Sequence, residues 1–213
     1  MPGADLTLLI EAAREAGEIA SRFARTSARS WNKPGGAGPV TETDLAVNAM
    51  LERDLLNSRP EYGWLSEESP DNDARLSHQR VFIIDPLDGT RSFIEGSDTW
   101  AHSLAIAENG VVIAAVVFLP LLNKLYVAEK GSGATLNGVP IQVSHRDELA
   151  GSSVLAARPV MDPQHWPGGV PDLKRSQRPS LAYRLSLVAE GRYDAMLTLR
   201  KTWEWDVAAG DLL

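Results

Sequence analysis

The sequence contains no cysteine, which removes disulfides, thiolate nucleophiles, iron–sulfur ligation and cysteine zinc sites together. Any metal must therefore sit on oxygen or imidazole. Histidine is scarce too: His78, His102, His145 and His165 show no H-x-x-x-H or comparable spacing, so they read as ordinary polar residues and not zinc ligands. The longest apolar run, Val111 to Leu119, is far short of the roughly 20 residues that span a bilayer, so no membrane partner is expected. The first residues lack a basic start and carry Asp5, Glu11, Glu15 and Glu18, unlike a signal or transit peptide, which leaves the cytoplasm as the default location. Basic residues are outnumbered, 21 Lys and Arg against 28 Asp and Glu. That balance opposes a large phosphate-neutralising surface and makes nucleic acid a poor partner. A Walker loop and a G-x-S-x-G elbow are absent, and Gly131-Ser132-Gly133 lacks the Lys and third Gly of a phosphate or dinucleotide loop.

What is present is an ordinary globular composition, 213 residues of which 44% are hydrophobic, enough for one domain with a sizeable core. Leu6, Leu9, Ile10, Ala13, Gly17, Ala20 and Phe23 recur at helical spacing and predict an opening amphipathic helix. Asn32 to Pro39 is too rich in Gly and Pro to be regular and reads as a mobile loop or plain linker. From Asp44 a second helical pattern follows, capped by Thr43 or Asp44. Arg80 to Ile84 reads as a buried strand closed by a turn at Asp85-Pro86. Ser103 to Ala107 and Val111 to Leu119 flank Asn109-Gly110, which supplies the positive φ angles of a two-residue hairpin turn. Lys124 to Ala128 continues the sheet, Asn137-Gly138 adds a turn, and Leu181 to Glu190 reads as a helix stopped by Gly191. Helices mixed with an antiparallel-type sheet predict an α+β or layered αβ architecture.

The chemistry concentrates in Asp85-Pro86-Leu87-Asp88-Gly89-Thr90. Two carboxylates flank a sharp turn, and oxygen-only clusters of this kind suit magnesium. Gly89 allows close backbone approach to an anion, and the N–H groups that follow form a phosphate nest. Asp, Pro and Gly are also ordinary turn formers, so a surface turn stays open as the plain alternative. The Asp85-x-x-Asp88 spacing fails the D-x-D pattern of phosphatases that form an aspartyl phosphate, which favours direct attack by water.

Followed by Arg91-Ser92-Phe93, this stretch resembles the metal-binding signature of the inositol monophosphatase family. Pro39-Val40-Thr41-Glu42-Thr43-Asp44, Leu65-Ser66-Glu67-Glu68-Ser69 and Trp205-Asp206-Val207-Ala208-Ala209-Gly210 resemble three further segments of that family, in the same order. The resemblance implies a layered αβαβα sandwich and a phosphoric monoester hydrolase using two or more Mg2+ ions. It implies that Glu67, Asp85 and the carbonyl of Leu87 hold one ion, and Asp85, Asp88 and Asp206 a second. It also implies that Thr90 and Asp44 position the attacking water, that Glu67 assists, and that the N–H groups of Gly89 and Thr90 hold the phosphate. Each piece has a plainer reading: Glu67-Glu68 as a solvated acidic turn, Asp206 as a helix N-cap, Thr90 as a cap, Trp205 as core packing.

The substrate expected is a small phosphate monoester. Inositol-specific members resemble one another in carrying a Glu seven residues before the W-D aspartate, where this chain has Leu199, followed by Arg200 and Lys201. Loss of that polyol ligand and gain of two cations lean toward a 3'(2'),5'-bisphosphate nucleotidase, with inositol 1-phosphate or a sugar bisphosphate as alternatives and a non-catalytic phosphate- or magnesium-binding protein behind them. The resemblance implies inhibition by lithium. Residues 1–213 read as a single phosphatase domain that stops seven residues after Asp206. Family members continue further, so a truncated C-terminus is expected, and a homodimer stays open.

Overall fold

The computed structural model describes residues 3–24, 28–36 and 38–213; Ala37, in the Gly- and Pro-rich segment, lies outside them. The chain opens with helix α1 (Ala4–Ala24), then a two-stranded antiparallel hairpin of β1 (Ser30–Asn32) and β2 (Pro39–Thr41), then α2 (Glu42–Ser58). Next come β3 (Gly63–Ser66), β4 (Arg80–Asp88), the short α3 (Thr90–Ile94), β5 (Ala101–Glu108), β6 (Val111–Leu119), β7 (Lys124–Glu129), β8 (Gly133–Leu136) and β9 (Val139–Pro140). The chain continues through β10 (Ser152–Ala156), β11 (Leu173–Ser176), α4 (Leu181–Ala189), β12 (Ala195–Leu197) and α5 (Glu204–Leu212).

Strands β3 to β9 form one seven-stranded sheet in sequence order, and β11-β10-β12 a second, all-parallel sheet of three. The large sheet is mixed: β3 runs parallel to β4 and the rest are antiparallel. Its central strands are apolar on both faces because both are covered there, whereas β8 and β9 toward one edge are half-buried to exposed. Phe82, Ile84, Leu104, Ile106 and Val116 point to α1 and α2, whose Leu9, Ala13, Leu51 and Leu55 complete that core. The opposite face carries Ala105, Ala115, Val117 and Tyr126 against Ala182, Leu187, Ala208 and Ala209 of α4 and α5. Small residues on both sides of this second interface let the helices lie close to the sheet. Each large side chain fully withdrawn from water contributes about 1.5–3 kcal/mol, and Leu9, Leu51, Phe82, Leu104 and Ile106 are all withdrawn completely. Leu155 and Met196 of the small sheet face α4 and α5 as well. The result is a layered α-β-α-β stack, four layers of the sandwich expected from sequence.

Gly17 of α1 marks where the first helix meets the sheet: a Cβ there would stand 2.5 Å from the ring of Phe118. The predicted hairpin turn is present, with Asn109 and Gly110 at φ 50° and 79°. Two expectations change. Thr41, not Thr43 or Asp44, caps α2, its hydroxyl accepting from the backbone N–H groups of Thr43 and Asp44. Strand β4 does not end at Ile84 but runs on to Asp88 through a bulge, the pairing with β5 shifting register between Asp85 and Asp88. Among the described residues no helix is long and apolar enough to cross a membrane.

Candidate active site

The bulge in β4 brings its acidic residues to one place. Proline cannot donate to the sheet ladder, and a bulge leaves one residue unpaired and kinks the strand. The ladder here resumes one residue out of step, and the freed carbonyl of Pro86 is taken by Nδ1 of His102 at 2.5 Å. His102 is completely buried. Burial pushes its pKa down to about 4 against the carbonyl contact, which raises it, so the ring is neutral at pH 7 and Nδ1 carries the proton toward Pro86. Leu87 N–H donates back to Asp85 Oδ1 at 3.0 Å. Gly89 then turns the chain at φ 97°, in the left-handed region, to start α3.

Three longer helices aim their N-terminal turns at the same spot. Asp44 is the third residue of α2 and accepts the Thr41 N–H at 2.8 Å; Asp206 is the third residue of α5 and accepts the Trp203 N–H at 2.8 Å. Asp206 is thus not the N-cap, as its motif suggested, but the carboxylate that reaches back to the capping residue. Ser180 caps α4, and it and Ala182 N–H both donate to Asp88 Oδ2 at 2.6 Å. The positive ends of these helices favour the negative charge that gathers between them.

Asp85, Asp88 and Asp206 each present a carboxylate oxygen, all within 4.8 Å of one another. The ion pairs among the described residues leave all three without a cation. Burial, with Glu67, Asp88 and Asp206 close by, raises the Asp85 pKa well above the ordinary carboxylate range. Burial likewise pushes Asp88 up to about 6, opposed by the bonds from Ser180 and Ala182. Asp206 is raised by burial too, against the bond from Trp203. Converging carboxylates with no ion-pair partner and no nitrogen or sulfur ligand form a donor set that fits a hard divalent cation such as magnesium.

Glu67 lines the same cleft but is engaged elsewhere. Lys33, on the hairpin between β1 and β2, donates to Glu67 Oε1 at 2.8 Å and Glu68 Oε1 at 2.6 Å. Burial pulls the Lys33 pKa down, yet the two carboxylates outweigh it and the net shift is upward. Lys33 takes only Oε1 of Glu67, which leaves Oε2 as a ligand atom for a cation. Thr90 Oγ1 lies 3.0 Å from Asp44 Oδ1 and 3.2 Å from the Leu87 carbonyl, so its single proton faces two acceptors. Burial raises the Asp44 pKa, opposed by bonds from Thr41 and Thr90.

The cleft holding these groups measures about 420 Å³ and is lined by Gly38, Glu67, Asp85, Asp88, Gly89, Thr90, Asp206, Gln177, Arg184 and Arg200. Of the three specificity candidates, only Arg200 borders it; Leu199 is 60% exposed and, with Lys201, lies on the irregular segment outside the lining. Arg184 was not singled out from sequence. It sits in the predicted helix α4 with only 6% of its surface exposed, its Nε donating to the Arg178 carbonyl and its Nη2 to that of Pro179 at 3.3 Å. A charged residue in the middle of an otherwise apolar helical stretch was the available signal. His102 and Ser180 were also missed, because their value depends on the bulge and the cap they meet. A larger groove of about 570 Å³ between α5 and Arg75 to Ile83 is mostly apolar and holds none of the three converging aspartates.

The sequence profile of the inositol monophosphatase family matches residues 4–213. The chain is 32% identical to the inositol-1-monophosphatase of Rhizobium meliloti, over 98% of this chain and 81% of that protein. It is 36% identical to the histidinol-phosphatase of Chlorobaculum parvum, over 71% of this chain and 58% of that protein. Among solved structures, the Thermotoga maritima IMPase superposes with a TM-score of 0.85 at 29% identity, covering 98% of this chain and 81% of that one.

Proposed function

The chain belongs to the inositol monophosphatase family and is a phosphoric monoester hydrolase; from that premise we propose that it releases phosphate by direct attack of water in the cleft of Asp85, Asp88 and Asp206, with magnesium as cofactor. The observation that carries the reading is the convergence of those three carboxylates beside the bonded pair Thr90 and Asp44. Asp85, Asp88 and Asp206 would hold magnesium, joined by Glu67, through the oxygen that Lys33 leaves free, and by the Leu87 carbonyl. Bound magnesium supplies positive charge that polarises the phosphoryl group and activates water for in-line displacement.

The protein's own groups do the rest. The N–H groups of Gly89 and Thr90 receive phosphate oxygens. Thr90 Oγ1 gives its proton toward Asp44 Oδ1, which leaves an oxygen lone pair to orient the attacking water and accept its proton as the oxygen–phosphorus bond forms. Burial raises the proton affinity of Asp44, which suits it to the receiving end of that transfer. The bond to the leaving oxygen breaks on the opposite side of phosphorus, and that oxygen takes its proton from solvent water in the open cleft.

Arg184 and Arg200 supply the substrate reading. The Arg184 guanidinium is held by backbone carbonyls and makes no ion pair among the described residues, the Asp88 carboxylate acting on it only at longer range, whereas buried cations are ordinarily paired. Among the described residues its Nη1 has no hydrogen bond. A second anionic group on the substrate would complete it by charge-assisted hydrogen bonds. This favours a bisphosphate, of the 3'(2'),5'-bisphosphate nucleotide kind, over a neutral polyol. Inositol 1-phosphate is the second reading, favoured by the name of the Rhizobium meliloti relative.

Side-by-side assay of phosphate release from adenosine 3',5'-bisphosphate and inositol 1-phosphate separates the two. The first reading expects a higher kcat/KM for the bisphosphate and loss of that preference in Arg184→Ala. Equal or better turnover of inositol 1-phosphate hands the site to the second. Release that persists in excess chelator, or in Asp85→Asn, rejects both.

A further inference from the structure

The segment that carries Arg200 into the cleft ends in a pair of indoles. Trp203 and Trp205 stack with ring centroids 5.1 Å apart and planes only 15° from parallel. Trp205 is half-buried, whereas Trp203 is 62% exposed, among the most exposed large apolar side chains of the described residues. One ring face of Trp203 is covered by Trp205, and the exposure lies on the remainder.

The pair is fixed at the rim of the carboxylate cluster. Trp203 N–H is bonded to Asp206 Oδ2, and the Trp205 carbonyl accepts from Ser103 Oγ at 3.3 Å, tying the turn to β5 next to the bulge. Asp206 is one of the three converging aspartates, and Arg200, three residues before Trp203, borders the same cleft. A large aromatic surface exposed to water costs free energy unless something covers it. The rigid partner ring behind Trp203 presents it as a preorganised plate.

We propose that Trp203, backed by Trp205, is a stacking platform for the base of a nucleotide substrate. The inference rests on the bisphosphate reading and names what that reading lacks, a group that recognises the rest of the molecule. One phosphate would occupy the carboxylate side of the cleft and the other the Arg184–Arg200 side. The planar base would add a third layer to the stacked indoles. Charge complementarity selects the occupant: an aromatic plate bonded through its backbone N–H to an aspartate of the candidate metal site, on the segment that brings Arg200 to the cleft, suits an aromatic ring that carries phosphates. A neutral aromatic would leave the cations unmet, and a polyol phosphate offers no flat face to the indole.

The test uses wild type, Trp203→Ala and Trp203→Phe in magnesium, with adenosine 3',5'-bisphosphate and inositol 1-phosphate as substrates. Stacking on a protein ring contributes enough that truncation should raise KM for the adenosine compound on the order of tenfold, with kcat little changed. KM for inositol 1-phosphate should not move, and Trp203→Phe should recover most of the loss. Quenching of indole emission by adenosine 5'-monophosphate, set against ribose 5-phosphate, is read in parallel. Quenching by the nucleotide alone, lost in Trp203→Ala, supports the platform even if wild type prefers inositol 1-phosphate, in which case only the bisphosphate reading fails. Quenching that is absent in wild type, is matched by ribose 5-phosphate or survives in Trp203→Ala overturns it, as does an equal KM change for both substrates.

Discussion

Single side chains here have roles that their type does not reveal. Thr90 looks like a cap for a five-residue helix, yet its hydroxyl points at Asp44, 46 positions earlier in the chain. If the two pass one proton between them, Thr90→Ala should lower kcat by roughly 10² to 10⁴ with little effect on melting temperature. Asp44→Asn should match it, and the double variant should be hardly worse than either single one, since groups acting as a unit are strongly non-additive. Multiplicative losses measured in phosphate-release assays would show two separate roles instead. Asp88 differs again, because Ser180 and Ala182 already occupy one of its oxygens and fix which oxygen remains for a cation.

At the level of elements, the bulge of β4 decides the site. Asp85 and Asp88 were legible as a pair from their spacing, but their convergence depends on the strand continuing through Pro86 with one extra residue. Periodicity cannot announce that extra residue. His102 sits on the partner strand and meets the freed carbonyl, so His102→Ala should leave a buried acceptor unsatisfied at a cost of about 1–3 kcal/mol. Magnesium affinity, followed by calorimetry, should fall together with thermal stability. A variant that loses stability and binds magnesium as before would assign His102 to packing alone. The same division runs through the rest of the sequence reading. Helices α1 and α4, the β5–β6 hairpin and the aspartate motifs could be read because local pattern determines them. The β10–β12 sheet could not, because its strands pair across long stretches of chain. Arg184 and the Thr41 cap of α2 have near neighbours in sequence as partners, but periodicity alone does not say which polar residue the fold turns inward or which one starts the helix. Lys33 shows the limit clearly: the Gly-Pro segment suggested a loose loop, whereas the hairpin carries its lysine onto Glu67 and Glu68.

For the whole molecule, the carboxylate cluster makes stability depend on pH in an unusual direction. The folded pKa of Asp88 is about 6, and Asp85 lies well above its ordinary value, so the folded state binds protons that the unfolded state releases. The stabilisation this gives is fully present below the ordinary carboxylate range and is lost as pH rises through about 6. In chelator, the wild type should therefore lose melting temperature between about pH 5 and 7.5 more steeply than Asp88→Asn, and magnesium should restore most at the upper end. Parallel slopes for the two proteins, followed by differential scanning calorimetry, would mean that the cluster does not control stability.

The placement of α5 also has a consequence for the chain as it is made. The large sheet is complete by Pro140, while Asp206 lies far downstream; at the usual pace of about 5–20 residues per second, a ribosome takes several seconds to join them. During that interval a nascent sheet can close over α1 and α2 on one side, while Ala105, Ala115, Val117 and Tyr126 wait uncovered on the other. The emerging chain is then half a core with two aspartates of a three-aspartate cluster. Its uncovered apolar face is most open to aggregation in the moments before α5 arrives to complete both the core and the cluster.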